Sequence, residues 1–263
     1  MGYYLPSEIL ESTRLKGIEK ANIPFLKLLV LAFMGGVYIS LGFLAYIRVV
    51  GTMPPELGSL RTFLGACVFP VGLLGVLLAG GELTTSNMMI LFVAYIKKSI
   101  PARKVLYNWV VVFFGNLIGS LFVAFFLSHY TGISEGDFLQ TTLYIAAGKV
   151  NQDLLPALVS GIGCNLFVCM AVWMSFGAKD ITGKILASWF PIMAFVVVGF
   201  QHVVANMFVI PAAMFSGQSS ITFLDFIGNI IPVYIGNLLG GAIFFGLMYC
   251  IALAPKKEKS TEN

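Results

Sequence analysis

Apolar residues run along this chain in six long stretches, roughly 28–49, 62–96, 105–128, 157–178, 185–215 and 226–253, separated by short polar segments. A helix needs about 20 apolar residues to cross the hydrocarbon core of a bilayer, so each run predicts at least one span. The second and fifth runs exceed one span and carry polar residues in mid-run, which predicts helices broken within the membrane. The first 27 residues read differently. Charges such as Glu8, Glu11, Arg14, Lys16, Glu19 and Lys20 interleave with Ile9, Leu10, Leu15 and Ile18, which predicts a short amphipathic helix at the membrane surface and no cleavable signal peptide. The chain thus divides into an N-terminal arm (1–27), a six-span domain (28–253, with halves 28–128 and 157–253) and a polar tail (254–263).

Composition agrees with the pattern. The chain is 58% hydrophobic and 11% charged, with mean hydropathy +0.91, against roughly 25% charged residues in a soluble domain. Such a chain cannot cover its surface in water, so lipid is its solvent. Loop charge sets the orientation. With the N-terminus in the cytoplasm, 13 of the 16 basic residues fall on the cytoplasmic side and only Arg48, Arg61 and Lys149 lie outside. Both termini are therefore expected inside, and the even number of spans agrees. The basic residues read as topology signals, with no nucleic-acid partner. Cys67, Cys164, Cys169 and Cys250 lie in apolar runs without metal spacing and read as free thiols.

The chain also repeats itself. Gly81-Glu82-Leu83-Thr84-Thr85-Ser86-Asn87-Met88 in run two is matched 119 residues later by Phe200-Gln201-His202-Val203-Val204-Ala205-Asn206-Met207 in run five. Gly115-Asn116-Leu117-Ile118-Gly119 recurs 121 residues later as Gly236-Asn237-Leu238-Leu239-Gly240. Two matches at nearly one offset indicate a duplicated three-span unit. Three is odd, so the second copy must insert upside down, and inverted repeats with broken helices point to a pathway at their interface.

Unwound backbone at membrane depth is tolerated only where protein buries it or water reaches it. Glu82 and His202 lie within the two breaks, where ionisable groups are costly and usually functional. Half-helices starting after each break direct N–H groups and positive dipole ends inward, which favours an anion or polarisable solute. The alternative is that Glu82, Thr84, Asn87 and Asn206 only bond freed backbone groups and hold helices together.

At this point the motifs resemble a known family. Ala79-Gly80-Gly81-Glu82-Leu83-Thr84-Thr85-Ser86-Asn87 is similar to the broken second helix of the formate/nitrite transporter family. Cys164 to Met174 resembles its fourth-helix signature. Lys179, Pro191-Ile192, the stretch Gly199 to Met207 and Pro211 resemble its fifth helix. The resemblance covers all six spans. It implies an aquaporin-like protomer, a homopentamer and one pore per protomer, with His202 as the central polar group between apolar constrictions. It further implies pathway roles for Thr85, Asn165 and Lys149, and constriction roles for Phe69, Leu73, Leu83 and Phe195, with Phe200 beside the second break. Two departures matter. Thr84 stands where many formate-type members have Phe, which is expected to widen and wet the inner constriction. Gln201 stands where many have Glu, which leaves Lys149 less neutralised and His202 less inclined to charge. Both resemble the hydrosulfide-channel branch.

The function expected is a channel in the plasma (inner) membrane for small weak-acid anions. Hydrosulfide comes first, and formate and nitrite are further candidates. No enzyme activity, cofactor or metal is expected. A bare anion loses several kcal/mol or more of hydration in an apolar constriction, and a proton or hydrogen bond from His202, supported by Thr85 and Asn165, relieves that cost. An aquaporin-like neutral pore lacks its Asn-Pro-Ala boxes here, because Asn87-Met88 and Asn206-Met207 have no proline. A proton-coupled carrier shares the same residues and stays open as an alternative.

Overall fold

The computed structural model describes residues 2–254, so the polar tail lies outside the described residues except for Ala254. The described residues form helices without strands, apart from one isolated bridge between Tyr3 and Ala178. In chain order the helices are α1 (Pro6–Lys20), α2 (Phe25–Val50), α3 (Ser59–Gly80), α4 (Thr84–Ile96), α5 (Ala102–Tyr130), α6 (Leu139–Val150), α7 (Leu154–Gly177), α8 (Ile181–Val198), α9 (Val203–Phe215) and α10 (Phe223–Ala252). Six of these, α2, α3, α5, α7, α8 and α10, are long and apolar enough to cross a membrane.

The two overlong runs split as their polar interruptions predict. Run two becomes span α3 and the half-helix α4; run five becomes α8 and α9. Gly80 and Gly199, again 119 residues apart, close the two spans at φ 100° and 86°. A side chain would strain that left-handed backbone. Leu83 and His202 then run extended, at φ −119° and −105°, before each half-helix begins.

Packing follows the repeat. In the first half α2 lies along α5 and α1 lies on α4. In the second half α7 lies along α10 and α6 on α9. Each half-helix also packs on the long span that ends the other half, α4 against α10 and α9 against α5. The repeated Gly-Asn-x-x-Gly makes the close contacts possible. A Cβ at Gly119 would lie 2.1 Å from the Phe33 carbonyl oxygen of α2, and one at Gly240 would lie 2.5 Å from that of Ile162 on α7. Small residues are how membrane helices gain such approach.

The N-terminal arm departs from its expected place. Ile9, Leu10, Thr13, Gly17 and Lys20 are buried against protein, because α1 packs on α4 and α7. The bundle covers Ile9 and Leu10 of its apolar face, while Leu15 stays exposed.

Candidate functional site

Each break leaves backbone N–H and C=O groups without helical partners, and one asparagine per half supplies several of them. Asn116 accepts from the Thr84 N–H (2.9 Å) and donates to the carbonyls of Glu82 (2.8 Å) and Ala32 (2.7 Å). Asn237 accepts from the Val203 N–H (2.9 Å) and donates to the carbonyls of Gln201 (3.1 Å) and Gly161 (2.8 Å). These are the asparagines of the repeated Gly-Asn motif, and each engages both amide hydrogens and its carbonyl oxygen.

A second polar set repeats one layer further out. Asn87 donates to Glu82 (2.6 Å) and to Asn108 (2.9 Å), and Asn108 donates to the Lys20 carbonyl (3.3 Å). Asn206 donates to Gln201 (2.6 Å) and to Asn229 (2.7 Å), and Asn229 donates to the Lys149 carbonyl (2.8 Å). Lys20 and Lys149 are therefore counterparts, at the C-terminal ends of α1 and α6.

Their electrostatic states differ. The Lys20 ammonium is buried against the Glu82 carboxylate at 2.6 Å, so that charge is neutralised. Opposite it, Gln201 is neutral. Its amide nitrogen turns to Gln152 and to the Lys149 carbonyl. Lys149 makes no ion pair among the described residues. Half-buried in α6 and outside the six spans, its ammonium is pushed down to about 8 because burial penalises the charge.

His202 and Thr85 meet where the two half-helices begin, with Nε2 and Oγ1 2.9 Å apart. The other ring nitrogen caps α9, since the Ala205 N–H donates to Nδ1 at 3.2 Å. A nitrogen that accepts an N–H bears no proton. The neutral ring therefore carries its proton on Nε2 and donates it to Thr85. The Thr85 hydroxyl keeps its own hydrogen, for which no protein acceptor occurs among the described residues.

Three cavities follow one another along this site. One of about 450 Å³ is lined by Lys20, Glu82, Ser86, Ile90 and Phe176, among others. One of about 310 Å³ on the opposite side is lined by Lys149, Phe200 and His202, together with Phe69 and Phe195. Between them lies a cavity of about 10 Å³ walled by Phe69, Leu73, Leu83, Val168, Phe195 and His202. That is room for about one water. Phe69 and Phe195 meet edge to face with centroids 5.6 Å apart, and they share their rings between the small cavity and the Lys149 side.

The structure thus gathers Phe69, Leu73, Leu83, Phe195 and His202 at one narrow point, with Thr85 bonded to the His202 ring. Phe200 stands apart from them. Its ring lies tilted against Phe167 and lines the wider Lys149 cavity. Thr84 and Thr85 are both fully buried and neither lines these cavities; Thr85 reaches their wall through its bond to the His202 ring. Thr85 faces His202, and the adjacent residue of a helix points about 100° away. Thr84 therefore does not border the constriction it was expected to widen. Asn165 is fully buried and donates to the carbonyls of Thr85 (3.2 Å) and Asn237 (2.6 Å). It holds the Thr85 carbonyl and lines none of the three cavities. The breaks' backbone is bonded by Asn116 and Asn237 together with the Leu31 carbonyl, which accepts from the Glu82 N–H, and the Ser160 hydroxyl, which accepts from the Gln201 N–H, and Asn87 and Asn206 hold side chains.

Sequence reasoning missed Lys20, Asn108 and Asn229. A signal was present. Asn108 and Asn229 stand 121 residues apart, the offset of the Gly-Asn motif, and Thr13-x-x-x-Gly17-x-x-Lys20 is matched by Thr142-x-x-x-Ala146-x-x-Lys149. The offset of that second match is 129, so it does not align with the others without a gap.

Comparison with known proteins bears on the same residues. A family model described as formate/nitrite transporter matches residues 7–251. An uncharacterized transporter, YrhG, from Bacillus subtilis (strain 168) is 53% identical over 264 residues, covering 100% of this chain and 98% of the relative. The formate channel BtFdhC of Bacillus thuringiensis is 48% identical over 249 residues, covering 95% of each. A solved structure described as a pentameric formate channel with formate bound superposes with TM-score 0.75 at 31% identity, covering 87% of this chain and 97% of that one.

Proposed function

This chain belongs to the formate/nitrite transporter family, and from that premise we propose that it is a membrane channel for a small monovalent weak-acid anion, formate first. The carrying observation is the His202–Thr85 pair, set between the starts of two half-helices at an apolar narrowing, with the unneutralised Lys149 on one side. An anion drawn by Lys149 and the two positive dipole ends reaches Phe69 and Phe195, where it must shed water. There the Thr85 hydroxyl, polarised by the His202 Nε2–H, donates a hydrogen bond to it. The solute crosses as the neutral acid or as an anion compensated by that bond. Its proton comes from solvent, because a second proton on His202 would displace the Ala205 N–H that the ring caps.

A second reading is hydrosulfide. The central cavity of about 10 Å³ suits an anion with one heavy atom better than one with three, and the neutral Gln201 leaves Lys149 positive. Thr84 no longer supports that reading, since it lies off the path.

The bulk of basic residues in the α1-side loops supports both termini in the cytoplasm of a plasma-membrane protein, with Lys149 towards the outside. The pentameric relative supports a homopentamer with one pore per protomer.

Purified protein in liposomes tests this. Formate, hydrosulfide, nitrite and chloride uptake should rank with formate or hydrosulfide well above chloride. Thr85→Val keeps shape and removes the hydroxyl, and should cut uptake about tenfold. Formate and hydrosulfide moving no faster than through empty liposomes would end the proposal.

A further inference from the structure

Beyond the Lys149 cavity lies a larger one of about 750 Å³, and the two share Tyr46, Thr62 and Ile145 as a common wall. Arg61 lines the larger cavity from the first turn of α3. Its Nε donates to the Val50 carbonyl at 2.8 Å and its Nη2 to the Thr141 hydroxyl at 3.0 Å. Both acceptors are neutral. Arg61 makes no ion pair among the described residues, and its Nη1 has no protein partner there. The contrast with Arg48 is plain. Arg48 lies over the Phe138 ring at 3.5 Å and bonds the Ile133 carbonyl, and it lines neither cavity.

Three features of Arg61 point the same way. Its guanidinium is held in place by neutral acceptors, so its charge stays uncompensated while its position is fixed. It sits at a helix N-terminus, where the dipole repels a cation. That location costs the helix stability in the empty protein, and an anion bound there would relieve it. No carboxylate lines either cavity among the described residues, where Arg61 and Lys149 are the cationic lining side chains, on the two sides of the shared wall.

We propose that Arg61 is an entry site for the permeating anion, which it takes from solution and passes across the Tyr46–Thr62 wall to Lys149. The ligand class is a small monovalent carboxylate, because the planar fork of the guanidinium matches two carboxylate oxygens. This rests on the reading of the chain as an anion pathway. It adds a second cationic station ahead of Lys149, on the same side of the constriction.

The test is initial formate uptake from the Lys149 face, in liposomes containing the full-length protein, against formate concentration and ionic strength. Arg61→Gln should raise the half-saturating concentration about three- to tenfold and flatten the dependence on salt. Maximal uptake should stay within about twofold, since the constriction is untouched. Arg61→Lys should restore the salt dependence but only part of the affinity, because an ammonium keeps the charge and lacks the planar fork. Arg61 also ties α3 to α6, so a variant that leaves its bonds intact is needed. Tyr144→Glu places a carboxylate on the rim of the same cavity, at a side chain 81% exposed, and should raise the half-saturating concentration similarly. Unchanged half-saturation and salt dependence in both Arg61→Gln and Tyr144→Glu would overturn the entry site while leaving the anion pathway standing. Absence of formate uptake by the unaltered protein would overturn the pathway itself, and the entry site with it.

Discussion

Asn116 and Asn237 replace, with one side chain each, the hydrogen bonds that an unbroken helix would have supplied. Asn237→Ala removes the side-chain partner of the Val203 N–H and of the Gln201 carbonyl at the break, while the Gly161 carbonyl keeps its bond within α7. A buried group left unsatisfied costs about 1–3 kcal/mol, so the variant should melt well below the unaltered protein in detergent, and Asn116→Ala should do the same for the first half. A melting curve that does not move would mean water reaches these groups. Lys149 makes a residue-scale prediction of the opposite kind, one of charge. With its ammonium pushed down to about 8, the cation is present below that pH and lost above it. Affinity for an anion entering from its face should therefore weaken between pH 7 and 9. Lys149→Arg keeps its charge throughout, and comparing the two proteins cancels the change in the solute's own protonation. If both lose affinity in parallel, the Lys149 charge does not attract the anion.

At the scale of elements, the surface helices α1 and α6 belong to the repeat as fully as the spans do. Each ends in a lysine whose carbonyl accepts from an asparagine of the bundle, and α1 is further fastened by the Lys20–Glu82 pair. Lys20→Met strands the Glu82 carboxylate in protein. Removing one partner of a buried pair costs on the order of 3 kcal/mol, at the lower end of the usual range because the adjoining cavity admits water. Adding Glu82→Gln should restore most of the loss, and thermal melts of the two single variants and the double close the cycle. Spans, breaks and half-helices were legible in the chain because apolar run length and polar interruptions are local signals. The half-helices came through at full strength, since Gly80, Gly199 and the repeated Asn residues mark them. The docking of α1 was not legible. Its charged and apolar residues fit a membrane surface and a protein groove equally well, and only the packing of Gly17 against the Ile90 carbonyl of α4 decides between them. Thr84 was misread for a related reason. A composition change at one position says nothing about which way that side chain turns on its helix.

For the molecule as a whole, the two faces of the pathway are built alike and charged differently. On the α1 side a carboxylate cancels Lys20. On the other side the corresponding residue is Gln201, so Lys149 and Arg61 line their cavities without a carboxylate partner. Gln201→Glu would make the second face copy the first. Asn206 and Asn229, which already donate to the Gln201 oxygen at 2.6 and 3.0 Å, would hold the new carboxylate in place beside Lys149. The half-saturating concentration for formate entering from the Lys149 face should then rise severalfold, by the loss of one unit of nearby positive charge. Entry from the α1 face should keep its own value, because Lys20 and Glu82 are untouched and lie beyond the constriction. The amide's own donations to Gln152 and the Lys149 carbonyl are lost in this variant, so Gln201→Met serves as the control that loses them without adding charge. An equal rise in Gln201→Met would assign the effect to positioning, and an equal change on both faces would show that these charges do not set the sidedness of the channel.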